Sequence, residues 1–523
     1  MTTETRIESL ADVVRAHART RGDKVALVCE GRETTFAELD RRASRIANGL
    51  IAAGVEPQAR VAYLDKNSDL FFEVMFGAMK ANDVLVAVNW RLAPPEIAYV
   101  INDATAEVLF VGKEFFPVVE AILPDLKTVR KVIALDAPHE GWDDYTAWRD
   151  AHSEADPHVP IDSSDVAVQM YTSGTTGHPK GAMLTNENFM TLLPMATTEW
   201  GTPWSPDDVN LVCMPLFHIA GSGWGVVGLY AGARSVVVRD IIPTEILRVI
   251  PEHRITKAIF VPAVLLFLVQ TPGAQETDFS SLNLIAYGAS PIPLDLLRTA
   301  MATFKCDFAQ VYGLTETTGA VTYLPPEDHD PAGNARMRSC GRPMGGITIR
   351  VVDSVGRDLP PGEVGEIIVK TKQNMKGYWN LPEETAKAID GEWFRTGDAG
   401  YLDSDGYLYI HDRVKDMIVS GGENVYPAEV ESALFGHPAI ADVAVIGVPD
   451  ERWGESVKAI VVKKPGVEAD PADIIAFARE RIAGYKVPKS IDFVDSLPRN
   501  PSGKILKRDL RAPYWEGRAR QVN

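Results

Sequence analysis

The chain has 523 residues, of which 46% are hydrophobic and 24% charged, and its formal net charge is −18. Because this length exceeds what one ordinary hydrophobic core supports, at least two domains are expected. The excess of acidic side chains disfavours a broad surface for polyanions, so nucleic acid is not expected as a partner.

Cysteine usage indicates a reducing compartment, and the apolar segments predict neither a signal peptide nor a membrane span. The four cysteines form no CxxC pair, which disfavours both a disulfide framework and a zinc site. Residues 1–10 lack the apolar stretch of a signal peptide, and the longest apolar run, 258–269, is shorter than the roughly 20 residues of a membrane span. We expect a cytoplasmic monomer or homodimer, for which peripheral contact is the only membrane association left open.

The first hundred residues alternate between helical and strand periodicity. Thr35 and Glu38 form a capping-box pattern, and apolar residues then recur at helical spacing until Gly54 provides a stop. Further segments are expected as strands at 60–64, 84–88 and 108–111 and as helices at 70–79 and 94–101. This alternation predicts an α/β fold with a parallel, doubly wound sheet.

The pattern changes in the second half of the chain. Short strands separated by turn residues, which predict a small β-barrel-like part, are expected at 347–353, 365–370 and 406–411. A small α+β unit follows, with helices expected at 427–434 and 471–482 and strands at 443–448 and 459–463. The sequence therefore predicts a large N-terminal domain, 1–413, and a small C-terminal domain, 414–523.

A loop of glycine and hydroxyl residues follows the strand-like segment 165–171 and precedes the helix-like segment 186–195. Its backbone N–H groups and hydroxyls can converge on phosphate oxygens. The residues concerned are Thr172, Ser173, Gly174, Thr175, Thr176, Gly177 and the positively charged Lys180. The spacing is not that of a Walker A loop, because His178 and Pro179 separate Gly177 from Lys180. Taken alone, the stretch is as consistent with a polar linker as with a phosphate-binding loop.

Three other loops carry groups suited to a nucleotide. Glu316 could hold Mg²⁺, a cation that prefers oxygen ligands, and Asp398 could accept hydrogen bonds from ribose hydroxyls. Near the C-terminus, Lys504 lies in a loop constrained by proline and glycine. Taken singly, Glu316 is better explained as a solvated loop acid and Asp398 as part of an ordinary turn. The alternative for Lys504 is a basic tail.

Together these motifs resemble those of the adenylate-forming superfamily of acyl-CoA synthetases, luciferases and peptide-synthetase adenylation domains. The resemblance covers about residues 10–512 and includes seven motifs in the family's order: TSGTTGHPKG, PLFH, YGLTE, FRTGD, DRVKD, SGGENVYP and NPSGK. It implies an AMP-forming acid–thiol ligase that uses ATP, Mg²⁺ and coenzyme A. A carboxylate attacks the α-phosphorus of ATP and releases pyrophosphate, after which a thiol displaces AMP.

The resemblance also implies roles for individual residues. Lys504 would offset a repulsion of roughly 5 kcal/mol between the carboxylate and the α-phosphate, while Asp398 and Arg413 would hold the ribose. Lys415 would be the hinge whose rotation withdraws Lys504 and brings a glycine-rich segment to the pantetheine arm. The other residues assigned to nucleotide or coenzyme A binding are Gly288, Ala289, Ser290, Tyr312, Gly313, Thr315, Gly421 and Gly422.

The acyl pocket is expected from three segments, 218–224, 287–290 and 312–321. Apart from Glu316 they contain no charged side chain, so an amino acid substrate is disfavoured, because burying its unpaired ammonium would cost several kcal/mol. His218 is expected either to steer the carboxylate or to pack as a gate at the pocket wall. The residues expected to leave room or to cap a tunnel are Gly221, Gly223, Gly225, Gly319, Trp224 and Tyr287.

The substrate stays open at this point. A medium-length or longer fatty acid is the first expectation, and an aryl acid of the cinnamate or benzoate kind is the second. A stand-alone enzyme that loads a carrier protein is a further alternative. A nucleotide-binding homologue without activity is disfavoured by the presence of Lys504, Glu316 and Asp398.

Overall fold

The computed structural model describes residues 6–172, 179–413, 416–420, 423–450, 452–499 and 505–516. They form a large N-terminal α/β domain followed by a smaller C-terminal α+β domain, as expected. No helix within these ranges combines the length and apolar character needed to cross a bilayer.

The N-terminal domain contains twelve α-helices within its described residues. They are α1 (Leu10–Arg21), α2 (Phe36–Ala52), α3 (Asp69–Lys80), α4 (Pro94–Asp103), α5 (Phe116–Ile122), α6 (Tyr145–Asp150), α7 (Asn186–Thr198), α8 (Ile219–Tyr230), α9 (Pro243–His253), α10 (Pro262–Gln270), α11 (Leu294–Phe304) and α12 (Pro382–Ala388). The predicted capping box at Thr35 and Glu38 is confirmed at the start of α2.

The strands that the sequence predicted in this domain begin within two residues of the expected positions, and those at 60–64 and 365–370 match fully. They are β1 (Val25–Cys29), β2 (Arg32–Thr35), β3 (Arg60–Leu64), β4 (Val84–Ala87), β5 (Ala106–Val111), β6 (Lys131–Ala134), β7 (Asp143–Asp144), β8 (Val166–Thr172), β9 (Lys180–Thr185), β10 (Val209–Val212), β11 (Arg234–Val237), β12 (Lys257–Phe260), β13 (Leu284–Gly288), β14 (Asp307–Leu314), β15 (Gly319–Leu324), β16 (Arg342–Pro343), β17 (Thr348–Val352), β18 (Gly365–Lys370), β19 (Gly377–Tyr378), β20 (Ile389–Asp390), β21 (Trp393–Leu402) and β22 (Leu408–Arg413).

Two large sheets form the body of the domain. The first has the strand order β16-β15-β14-β13-β12-β10-β11-β1-β2 and the second β19-β9-β8-β4-β3-β5-β6-β7. Their inner strands pair in parallel, which confirms the predicted doubly wound architecture. In the region of the predicted β-barrel-like part lies a five-stranded antiparallel sheet of β17, β18, β20, β21 and β22.

The strand expected at 165–171 and the helix expected at 186–195 are confirmed as β8 and α7. The sequence did not predict the strand between the glycine-rich loop and α7: residues 180–185 form β9, which pairs antiparallel with β8. The loop therefore connects two neighbouring strands of one sheet.

Polar contacts hold the carboxyl ends of the two large sheets together. Arg239, just after β11, donates hydrogen bonds of 2.9 and 3.2 Å to the carboxylate of Asp65, just after β3. The buried Asn67 donates to the carbonyl oxygens of Met214 and Val238 at 3.0 and 3.1 Å. Since Met214 opens the segment that leads into α8, these contacts fix where α8 begins.

The C-terminal domain is built on a separate sheet with its own apolar core, centred on Val430, Val445, Val457 and Ile474. Its elements are β23 (Ile418–Ser420), β24 (Glu423–Val425), α13 (Pro427–Phe435), β25 (Ile440–Asp450), β26 (Gly454–Lys463), α14 (Pro471–Arg479), β27 (Ser490–Phe493) and α15 (Lys507–Trp515). The expected helix at 471–482 ends earlier, at Arg479.

Candidate active site

Tyr312 and Asp398 meet where the first large sheet contacts the antiparallel sheet. The Tyr312 hydroxyl, on β14, donates a hydrogen bond of 2.7 Å to Asp398 Oδ2, on β21. Asp398 is 6% exposed, and its backbone N–H donates to Thr396 Oγ1 at 3.0 Å. The sequence interpretation assigned both side chains to one nucleoside, and the structure brings them into direct contact.

Glu316 lies at the junction of the two large sheets. It follows β14 in a short 3₁₀ turn, and its Oε1 accepts hydrogen bonds from Thr172 Oγ1 at 3.3 Å and from the Tyr378 hydroxyl at 2.9 Å. Thr172 ends β8, and Tyr378 belongs to β19. Tyr378 was missed in the sequence, where an aromatic residue after Gly377 carries no distinctive signal.

Lys180, expected to contribute positive charge to the glycine-rich loop, has a carboxylate partner in the structure. Its ammonium forms an ion pair with Glu384 on α12 and lies 5.2 Å from the centre of the Tyr378 ring. Glu384 also binds Lys387 at 2.7 Å, and the hydrogen bonds from Lys180 and Lys387 lower its pKa to about 2. A phosphate approaching Lys180 would therefore compete with a carboxylate that stays ionised.

An apolar cavity of about 640 Å³, a volume that includes its open mouth, lies between α8 and the face of the first sheet. The lining residues of α8 recur every three or four positions, so they share one face of the helix. The lining residues are Leu192, Trp200, Met214, Ile219, Ala220, Gly223, Trp224, Val227, Ile259, Phe260, Val261, Gly288, Ala289, Val311, Gly313, Thr318, Gly319 and Ala320. None of them carries a charge.

The polar side chains in this lining already have hydrogen-bond partners. Trp200 Nε1 donates to Met344 Sδ at 2.9 Å, and Trp224 Nε1 donates to the Leu211 carbonyl at 3.1 Å. Thr318 Oγ1 donates to the Gln373 carbonyl at 2.7 Å. A ligand in the cavity therefore meets apolar side-chain surface.

Comparison with known proteins identifies the family. The model of the AMP-binding enzyme family matches residues 14–379, and that of the AMP-binding enzyme C-terminal domain matches residues 429–504. The chain belongs to the AMP-binding enzymes. The expected class, an adenylate-forming acid–thiol ligase, is thereby confirmed.

Individual relatives of this AMP-binding enzyme differ in the acid and the thiol named. A fatty acid–[acyl-carrier-protein] ligase, ScoC of Streptomyces coeruleorubidus, is 42% identical over 99% of the chain and 98% of its own length. A feruloyl-CoA synthase of an Amycolatopsis species is 39% identical over 92% of the chain and 94% of its own. The crystal structure of the anthranilate CoA ligase AuaEII with anthranoyl-AMP superposes with a TM-score of 0.90 at 28% identity, covering 97% of each chain.

His218 occupies the N-cap position of α8, where its side chain makes no capping hydrogen bond, and lies outside the lining of the cavity. Burial, together with the nearby charge of Arg91, lowers the pKa of His218 to about 4. Its Nε2 is buried and has no hydrogen-bond partner among the described residues. At neutral pH it is therefore an uncharged imidazole, which can donate one hydrogen bond to a carboxylate but cannot attract one as a cation.

Several expectations about the pocket wall are wrong. Tyr287 does not cap a tunnel, since it is fully buried and its hydroxyl lies 2.9 Å from His329 Nε2. A Cβ on Gly221 would lie 2.2 Å from the Pro215 carbonyl oxygen, and one on Gly225 would lie 2.4 Å from the Phe72 ring. These two glycines allow close packing of α8 and open no space.

Gly223 and Gly319 do border the cavity. A Cβ on Gly223 would meet the tip of Ile219 at 3.2 Å, whereas one on Gly319 would have no neighbour closer than 3.7 Å. Gly319 has φ of +106°, a backbone conformation that other residues adopt only with strain. Its lack of a side chain thus serves both the turn and the space beside it.

The remaining predicted residues lie in the cavity lining, next to it in the chain, at the end of β22 or outside the described ranges. Gly288, Ala289 and Gly313 line the cavity, while Ser290 directly follows Ala289 and Thr315 lies two residues after Gly313. The predicted residues outside the described ranges are Ser173, Gly174, Thr175, Thr176, Gly177, Lys415, Gly421, Gly422 and Lys504. Arg413 ends β22, where its backbone pairs with Asp398.

Proposed function

We propose that this enzyme activates an apolar carboxylic acid as an acyl-AMP and transfers the acyl group to coenzyme A, releasing AMP and pyrophosphate. One observation carries the proposal: an uncharged cavity is lined by Gly288, Ala289 and Gly313, next to the Tyr312–Asp398 pair. An acid tail in the cavity would place its carboxylate at the nucleotide loops. Holding the two reactants in this way converts a bimolecular step into an effectively unimolecular one.

Several residues bind the nucleotide and prepare the point of attack. Lys504 offsets the repulsion between the substrate carboxylate and the α-phosphate, while Asp398 and Arg413 hold the ribose hydroxyls. Gly288, Ala289, Ser290 and Tyr312 enclose the adenine. The loop from Thr172 to Lys180 binds the departing phosphates.

Glu316 suits a Mg²⁺ that arrives with ATP. No group of three or more potential metal ligands occurs among the described residues. Mg²⁺ typically binds one or two protein carboxylates together with substrate phosphates, and the Glu316 carboxylate, only 9% exposed beside Thr172, provides such an oxygen ligand. When bound, the ion supplies positive charge to the phosphate oxygens. Tyr378 and Thr172 orient the carboxylate.

We also propose that the two half-reactions use different orientations of the domains 1–413 and 414–523. Lys415 provides the hinge, and the backbone at Gly421 and Gly422 approaches the thiol arm of coenzyme A. His218, neutral at the start of α8, donates its hydrogen bond to the substrate carboxylate or packs as a gate.

An unsubstituted aliphatic acid fits the cavity better than a polar aryl acid. A hydroxylated or amino-substituted ring would bring a polar group among side chains whose hydrogen-bonding atoms are already engaged. An unsatisfied buried hydroxyl costs about 1–3 kcal/mol. The feruloyl and anthranilate specificities of the relatives are therefore the second candidate for the acid.

A carrier protein is the second candidate for the acceptor, favoured by the likeness to the fatty acid–[acyl-carrier-protein] ligase. Coenzyme A and a carrier protein's phosphopantetheine group present the same kind of thiol arm. Mass spectrometry with ATP, Mg²⁺ and decanoate, given either coenzyme A or a holo carrier protein, distinguishes the two thioesters. Formation of ADP and phosphate in place of AMP and pyrophosphate would refute the adenylation mechanism.

The acid is tested by pyrophosphate release across acids from acetate to palmitate, together with benzoate and coumarate. We expect release with the straight-chain acids and a lower kcat/KM with coumarate. A preference for coumarate or benzoate over every straight-chain acid would refute the assignment.

A further inference from the structure

The acyl cavity has a limited depth, which its lining along α8 defines. On this wall α8 lines it from Ile219 to Val227, a length of about 12 Å at a helical rise of about 1.5 Å per residue. β13 borders the cavity only at its carboxyl end, Gly288, which pairs with Val311, the residue before Tyr312. Gly288 therefore lies on the side of the candidate nucleotide site, and Leu284, about 13 Å away at about 3.3 Å per residue, marks the level of the opposite end.

Trp200 belongs to the cavity lining and lies near the level of this opposite end. It comes from the loop that follows α7, and the next residue, Gly201, packs so closely on Leu284 that a Cβ would lie 2.9 Å from Leu284 Cδ1. The Trp200 ring is 5% exposed and lies nearly parallel to that of Trp224, at an interplanar angle of 9° and a centroid distance of 6.3 Å. Both rings belong to the lining of the cavity.

The loop that carries Trp200 is fastened on both sides. Gly201 donates its backbone N–H to the Tyr323 hydroxyl, and Lys257 donates to the Thr202 carbonyl at 2.7 Å. The indole itself is held by its hydrogen bond to Met344. Because each of these contacts reaches a different strand or loop, Trp200 forms a fixed wall and not a swinging gate.

We propose that Trp200 is the specificity-determining residue that limits the substrate to medium-length aliphatic acids, of about eight to ten carbons. The inference rests on the proposed function and names the acid within it. A depth of about 12 Å, set by the rise of α8, holds an extended tail of about nine methylene groups at roughly 1.3 Å each. A palmitate tail needs about 19 Å on the same reckoning and meets the Trp200 ring.

Straight-chain acids from hexanoate to palmitate test this limit, with kcat/KM measured from pyrophosphate release. For the parent enzyme we expect a rise of up to about fourfold per added methylene, the usual gain for a buried CH₂, until octanoate or decanoate. Palmitate should be at least tenfold poorer than the optimum. Trp200→Ala should move the optimum about four carbons longer and Trp200→Leu about two, with the KM for ATP within twofold of the parent.

Trp204→Phe is the matched control. Trp204 belongs to the same loop and packs against Trp224 at 5.1 Å, but it is outside the lining of the cavity, so its variant should keep the parental optimum. Thermal unfolding reports whether each variant is folded. If Trp200→Ala fails to fold, Trp200→Leu carries the test.

Two results would overturn the length limit alone: a parent enzyme that prefers palmitate, or a folded Trp200→Leu variant with an unchanged optimum. An absence of pyrophosphate release with every straight-chain acid, in the parent and the variants, would instead overturn the proposed function together with this inference.

Discussion

Two tyrosine hydroxyls each support one carboxylate of the active site, and their removal should separate ribose binding from metal binding. Tyr312 donates to Asp398 at 2.7 Å, and Tyr378 donates to Glu316 at 2.9 Å. Hydrogen bonds to charged groups contribute about 1.5–3 kcal/mol, equivalent to a factor of about 10 to 150. Tyr312→Phe keeps the ring beside adenine but removes this support, so the KM for ATP should rise at least about tenfold.

The assay is a double-mutant cycle that uses 2′-deoxy- and 3′-deoxy-ATP as the second change. If Asp398 holds the ribose hydroxyls, the deoxy-nucleotides should be poor substrates for the parent, and Tyr312→Phe should add less than its full effect to theirs. Tyr378→Phe is the matched control, since it removes the same atom from the other carboxylate. It should raise the Mg²⁺ concentration for half-maximal rate and leave the penalty for the deoxy-nucleotides unchanged.

Strictly additive effects of Tyr312→Phe and the deoxy-nucleotides would refute the assignment of Asp398 to the ribose. A higher Mg²⁺ requirement in Tyr312→Phe than in Tyr378→Phe would refute the division of roles between the two carboxylates.

Three further predictions concern the hinge, the pocket and stability. Lys504→Ala should slow adenylation about 10²–10³-fold yet convert supplied acyl-AMP and coenzyme A at near the parental rate. Lys415→Pro should adenylate the acid and accumulate acyl-AMP. Equal loss of both half-reactions in Lys504→Ala would contradict the domain rotation. Gly223→Ala should lower kcat/KM for the acid severalfold with an unchanged KM for ATP and no loss in Tm, because alanine favours helix by about 1 kcal/mol; a changed ATP requirement would contradict its place in the wall. Burial raises the pKa of Asp83 from 3.8 to about 8. The stability that the protonated carboxyl contributes is therefore fully present below the unfolded pKa and is lost as pH rises from there through about 8. In urea unfolding, Asp83→Asn should come close to the parent near pH 4 and exceed it by a few kcal/mol near pH 8–9; a pH-independent difference would contradict this.

Predictions from the sequence succeeded where the information was local. The capping box at Thr35 and the strand at 60–64 depend on residues within one element, and the structure confirms both. The strand β9 was missed because its pairing with β8, and not its own composition, makes it a strand.

Contacts between distant parts of the chain explain why the site itself was only partly predictable. Lys180 meets Glu384 across 204 positions, and Tyr378 meets Glu316 across 62. No spacing rule connects such residues, because only the packing of the sheets decides which loops come into contact.

The sequence by itself determined the family and the class of reaction, and it identified the charged residues of the motifs. These depend on short motifs that can be recognised by their residues and their order along the chain. The tertiary structure alone decided the shape of the acyl cavity. Part of its lining comes from the predicted segments around Gly288 and Gly313, but Trp200 was not predicted, since it follows α7 and comes near β13 only through the packing of Gly201 on Leu284. Cavity depth is a distance between elements, and a linear pattern of residues does not encode that distance.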